Sequence, residues 1–284
     1  MSKLTDIKDD FAVNSHTEIQ GLDDAISGHL AFTEHARAIP NRLLEPKGWI
    51  PSKLYSNFIQ SKTLYRKHDA AHDAKIALWL AKAKEQAKQF YIAHQAMPEF
   101  TGISKAELSE IAKLSIDENI LQELPEILAF KGIILIYLPA LEGTKADGAT
   151  FLLSDKLPVI VHSIRYPRMD NFWFTLLHEL AHLCLHFNNL DEPIVDDMED
   201  EQHVLKDIEI QADRLAKTSF VSKVEWRTAT VKNTSKGDDI YTFAQQMQVH
   251  PSIIAGLVRA SRSRYDLFSD IVNKVNPRTL LKLL

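Results

Sequence analysis

The stretch Phe172-Trp173-Phe174-Thr175-Leu176-Leu177-His178-Glu179-Leu180-Ala181-His182-Leu183-Cys184-Leu185-His186 decides how this chain is read. An apolar run is interrupted only by His178, Glu179, His182 and His186, which form one stripe along a helix otherwise buried nearly all round. Residues four apart lie about 5.4 Å from each other on one helix face, so His178 and His182 can aim two imidazole nitrogens at one cation. Glu179 then lies beside the water on that cation, where a general base belongs. Buried polar groups need partners, and a metal with its water satisfies three of them at once. The competing reading is a core helix whose histidines bond to backbone or carboxylates.

A catalytic site of this kind takes a third protein ligand and leaves the fourth position to water. His186 is two turns beyond His178, about 12 Å along a straight helix, too far to share a metal that binds imidazole at about 2.1 Å. It reads as a residue supporting a ligand or as packing, and no Gly ends the helix early to allow a third His on the metal. Downstream, Asp207-Ile208-Glu209-Ile210-Gln211-Ala212-Asp213-Arg214-Leu215-Ala216 reads as a second helix with Glu209 and Asp213 on one face. Glu209 completes a site of two His and one carboxylate, while Asp213 accepts the other ring N–H of a ligand His and fixes its tautomer. A solvated carboxylate pair is the alternative. The acidic run Asp196-Asp197-Met198-Glu199-Asp200-Glu201 reads as a solvated loop between the two helices, with His203 at the surface.

Before the active-site helix, 132–138, 149–153 and 158–162 have the composition of strands, and the small sheet they imply offers an edge to an extended peptide. The sheet alone is equally compatible with a scaffold. Ala70 to Gln95 reads as a long helix, Ser104 to Glu107 as a capping box, and Ile120 to Phe130 as a helix with Pro125 near its first turn. Residues 1–16 look flexible, 17–37 carry broken helical periodicity, and Pro40, Pro46 and Pro51 punctuate a loop around Trp49. After the Glu209 helix, Asp239 to Gln248 and Pro251 to Arg259 are two short helices about a turn at Val249-His250. With Arg259, Arg262 and Arg264 following, DNA contact through this pair competes with a reading in which it only closes the core.

Motif by motif, the chain from about Gly132 to Tyr265 resembles the ImmA/IrrE-type metallopeptidases. The resemblance rests on Gly148-Ala149-Thr150-Phe151, Pro158-Val159-Ile160, Arg165-Tyr166, Asp170 to Glu179, Glu209-Ile210-Gln211-Ala212-Asp213 and Val249-His250-Pro251. It is nearest to the branch in which this domain follows a helix-turn-helix in antitoxin-like regulators. The resemblance implies a cytoplasmic, zinc-dependent endopeptidase of thermolysin-like ligand pattern. Such enzymes cut a repressor or antitoxin to release a stress, mobile-element or prophage response. Carried over by position, the ligands of one Zn²⁺ are His178, His182 and Glu209, and the base is Glu179. Two departures stand out: His162 replaces a usual Leu, and no ordinary helix-turn-helix is legible at the N-terminus. Donors for the oxyanion are sought among His250, Tyr166, Arg165 and His162.

The expected architecture is α+β. A flexible 1–16 and a mostly helical regulatory or substrate-facing 17–130 precede a minimal zincin-like domain over 131–236, and C-terminal helices occupy 237–284. With 284 residues, 45% hydrophobic, the chain can bury a sizeable core. Its one cysteine, Cys184, excludes an internal disulfide and reads as packing. No apolar leader or membrane-length apolar run is legible, so a soluble cytoplasmic protein is expected. With 33 Lys and Arg against 38 Asp and Glu, the net charge of −5 gives no general drive toward nucleic acid. Three readings remain: a zinc endopeptidase acting on a regulatory protein, an antitoxin-like regulator or toxin-binding module without turnover, and a structural metal protein closed by a fourth ligand.

Overall fold

Alternation along three short strands determines which side chains meet the metal-bearing helix. The computed structural model describes residues 70–154, 156–190, 193–197 and 203–283. The expectations for 1–16, for 17–37 and for the Pro40 to Pro51 loop lie outside the described residues.

The sheet contains β1 (Ile134–Tyr137), β2 (Ala146–Leu152), β3 (Pro158–His162) and β4 (Ile194–Asp197), in the order β1-β3-β2-β4. Strand β3 runs parallel to β1 and antiparallel to β2, and β4 pairs antiparallel with β2 at the edge. The sequence reading found the first three strands and missed the fourth. Asp196 and Asp197, expected in a solvated loop, belong to β4, because Ile194 and Val195 before them supply the apolar residues that pack on the sheet.

Because side chains alternate between faces with period 2, each strand is sorted into two sets. Ile134, Ile136, Ala149, Phe151, Val159 and Val161 join Trp79 and Leu80 of α1 (Ala70–Ala93) in one core cluster. Leu135 and Ile160 join a larger cluster on the other face, built on α4 (Met169–His186) and α5 (His203–Phe220). The sheet is thus sandwiched between helices, and both of its faces are apolar, which suits its strands of near-continuous hydrophobicity. Gly148 and Thr150 fall on the α4 side. Trp79 also donates its indole N–H to the carbonyl of Leu138 at 2.9 Å, tying α1 to the end of β1.

Helix α2 (Lys105–Lys113) opens with the expected capping box, in which Ser104 accepts from the Glu107 amide and Glu107 accepts from the Ser104 amide. The single helix expected over 120–130 is instead a 3₁₀ segment (Glu118–Gln122) followed by α3 (Leu124–Ala129). Pro125 lies in the first turn of α3, where its missing N–H costs nothing, and a proline further along a continuous helix would break it. Helices α6 (Lys223–Thr228), α7 (Gly237–Met247), α8 (Pro251–Arg262), α9 (Ser269–Val272) and α10 (Pro277–Leu280) complete the described chain.

The turn between α7 and α8 forms as expected, with Gln248 in the left-handed conformation that ends α7 and Pro251 at the start of α8. Helix α8 packs on α4 and buries Ile253, Ile254, Ala255 and Val258. Arg259 is only 5% exposed, Arg262 donates to the Thr234 carbonyl, and Arg264 forms a bidentate pair with Asp266. One face of the pair therefore belongs to the core. No helix of the described residues is long and apolar enough to cross a membrane.

Candidate metal centre

Helix α4 is buried along most of its length, and its polar stripe emerges where α5 crosses it. His178 Nε2 lies 2.8 Å from Glu209 Oε2 and 3.0 Å from His182 Nε2, and His182 Nε2 is 3.5 Å from Glu209 Oε1. Ligands about 2.1 Å from a tetrahedral metal are about 3.4 Å from one another. One donor atom from each of the three residues lies within 4.8 Å of the other two, close enough for them to share one cation. Among the described residues, the group that could hold a metal consists of His178, His182 and Glu209, and no fourth His, Cys or carboxylate joins it.

Electrostatics agrees with a cation site. Burial alone would raise the Glu209 carboxyl, but hydrogen bonds from His178 and His182 and their nearby charge hold it down at about 2. For His182, burial lowers the pKa, reinforced by His178 and His186 and opposed by Glu209, so the neutral, metal-competent form is favoured. Asp213 Oδ1 lies 3.1 Å from His178 Nδ1. It therefore fixes the proton on Nδ1 and turns the Nε2 lone pair toward the other ligands. Burial pushes Asp213 up, yet His178 and Lys217, the latter 3.1 Å from Oδ2, bring it to about 2.

Glu179 is completely buried against β2. Thr150 Oγ1 donates to Glu179 Oε2 at 2.6 Å. At Gly148, two residues earlier on the same face, a Cβ would lie 2.2 Å from Glu179 Oε1, 2.9 Å from Cδ and 3.0 Å from Cγ. The glycine is there because the carboxylate occupies the volume a side chain would need. Sequence reasoning overlooked this pair as a cradle for Glu179. The signal was present: within 146–152, small or polar Gly148 and Thr150 alternate with apolar Ala149 and Phe151.

Just before Gly148 the register with β4 shifts, with Ala146 opposite Asp197 and Gly148 opposite Asp196, so Asp147 is an extra residue. This bulge turns Asp147 toward the loop after β3. Its carbonyl accepts from the Ser163 amide at 3.1 Å and the Ser163 hydroxyl at 2.8 Å, and its carboxylate takes Arg165 Nη1 at 3.2 Å. In that loop Ile164 has φ of 49°, a costly conformation for a β-branched residue. Arg278 secures it by donating to the carbonyls of Ile164 and Arg165 at 2.8 and 2.7 Å.

The four oxyanion candidates take different places. Arg165 and Tyr166 stack at 5.0 Å and line a shallow depression with Asn171 and Thr175, which continue the face of α4 that carries Glu179. His162 lies under the same depression, but Nε2 donates to the Phe172 carbonyl at 2.9 Å and Nδ1 accepts from the Ile164 amide at 3.0 Å. Burial lowers its pKa to about 4, so it is neutral and both nitrogens serve the fold. His250 caps α8, bonded to Ser252 and approaching Glu118 Oε1 at 3.4 Å, and among the described residues none of its hydrogen bonds is to the metal triad.

No family model and no curated protein matches this chain. The chemistry of the site therefore rests on its own residues. Two imidazoles and a carboxylate held ionised can bind a divalent cation, and the buried carboxylate of Glu179 follows His178 directly in the chain.

Proposed function

We propose that the chain is a zinc-dependent endopeptidase of zincin-like architecture, acting in the cytoplasm on a regulatory protein of repressor or antitoxin type. The observation that carries this reading is the convergence of His178, His182 and Glu209, with Asp213 behind His178 and the next residue in the chain, Glu179, held by Thr150. The nature of the substrate rests on the resemblance to the ImmA/IrrE-type peptidases and on the edge strand.

His178, His182 and Glu209 would hold the zinc. When bound, zinc lowers the pKa of a coordinated water to about 7 and polarises a carbonyl. Glu179 accepts a proton from the attacking water and passes it to the nitrogen of the leaving amine as the C–N bond breaks. Thr150 and Gly148 keep that carboxylate from turning away during the transfer. Strand β4 is the edge beside β2, so an extended substrate can add to the sheet through backbone hydrogen bonds. Arg165 and Tyr166 would supply donors for negative charge developing on the scissile oxygen.

Co-expression with the products of neighbouring genes, as wild type and as Glu179→Gln, tests the reading. The expected result is one partner cut by the wild type and left whole by the variant, with zinc retained in both. Cleavage that persists in Glu179→Gln would overturn it.

A further inference from the structure

His186 is two turns beyond His178, too far along α4 to share its metal. His182 Nδ1, the nitrogen facing away from the triad, lies 3.2 Å from His186 Nδ1. The reason is helical: Cβ vectors tilt toward the N-terminus, so a residue one turn onward covers the back of the one before it. Both rings are buried, His182 completely and His186 at 7% exposure. Two adjacent nitrogens this close and this dry require one to donate and the other to accept. If His182 presents its Nε2 lone pair to a metal, its proton is on Nδ1, and His186 Nδ1 must be the acceptor. Gln211 of α5 lies against the His186 ring, while Nε2 makes no geometrically complete hydrogen bond of its own.

We infer that His186 is the positioning residue for His182, doing with a neutral imidazole what Asp213 does for His178 with a carboxylate. This rests on the reading of His178, His182 and Glu209 as metal ligands and adds a third histidine to what the site requires. The two ligand histidines are thereby oriented by different chemistry. The carboxylate at Asp213 adds a negative charge near the cation, and His186 adds none, so the ligands and their supports together carry two negative charges against a divalent ion. The stripe 178–182–186 is thus a ligand, a ligand and the support of the second.

The test is zinc binding to the full chain, by chelator competition, in His186→Phe, His186→Asn and His182→Ala. Phe keeps the ring volume without an acceptor, and Asn places an amide oxygen near the position of Nδ1. Zinc should bind about 10–100-fold more weakly to the Phe variant and recover to within a few-fold of wild type in the Asn variant. Melting of the metal-free protein reports whether the Phe variant folds, and it should melt as wild type does. Wild-type affinity in His186→Phe, or equal losses in Phe and Asn, would overturn the inference while leaving the metal site standing. Undiminished binding in His182→Ala would instead remove the metal reading on which it depends.

Discussion

Gly148→Ala should separate catalysis from metal binding more cleanly than any ligand substitution. The added Cβ would lie 2.2 Å from Glu179 Oε1, whereas carbon and oxygen normally rest about 3.3 Å apart. The deficit is about 1 Å. Glu179 is completely buried, and its Cδ and Cγ are also within 3.0 Å of the new atom, so rotating only the carboxyl tip relieves little. A displacement of about 1 Å in a catalytic group costs on the order of 100-fold in rate, equivalent to about 2.7 kcal/mol. Overpacking should also reduce stability by about 1–3 kcal/mol. The three atoms nearest the new Cβ all belong to Glu179, so zinc affinity should stay within a few-fold of wild type. The assays are cleavage of the partner found by co-expression, chelator competition for zinc, and urea unfolding. Wild-type turnover in Gly148→Ala would refute the claim that this close approach positions Glu179, and loss of zinc would refute the separation of the base from the ligands.

Further outcomes follow from the same geometry. Zinc at 100 times its dissociation constant should stabilise the wild type by about 2.7 kcal/mol, read as a rise in melting temperature. Glu179→Gln should retain that rise, and His178→Ala or Glu209→Ala should abolish it. Asp213→Ala should weaken zinc about 10–100-fold by releasing the His178 tautomer, while Lys217→Ala, which removes only the outer contact, should change it little, both measured by chelator competition. The pKa of His162 falls to about 4 in the fold, against about 6.5 when unfolded, because burial disfavours the charged ring. The unfolded chain therefore gains the proton first as pH falls, and stability is present above about 6.5 and lost progressively down to about 4. Urea unfolding at pH 7.5 and 4.5 should show His162→Leu losing about 2 kcal/mol less than wild type across that interval. An equal pH dependence in both proteins would contradict the assignment.

Legibility in the sequence varied with the range of the interaction. The His178 to His182 spacing and the Glu209 to Asp213 spacing are each internal to one helix, where 3.6 residues per turn converts sequence distance directly into position. Both were readable, as were the Ser104 capping box and the start of α8 at Pro251. Strand β4 was hidden because its two apolar residues precede two aspartates, and a short edge strand forms only when a neighbour offers a ladder. The break at Glu123 was hidden because helical periodicity does not distinguish one helix from two in succession. The oxyanion candidates had no local signal at all, since the loop conformation at Ile164 depends on Arg278 more than a hundred residues away.

By itself, then, the sequence determined two helices, each presenting a pair of polar residues with the right chemistry on one face, and a small set of strands ahead of them. Only the tertiary structure decided that the two faces meet, that Asp213 serves His178, and that Gly148 and Thr150 enclose Glu179. The reason is physical: helical spacing is fixed by covalent geometry and local hydrogen bonds, whereas the approach of α4 to α5 and β2 is fixed by burial of the apolar surface around them. That packing brings residues 29 to 35 positions apart into contact.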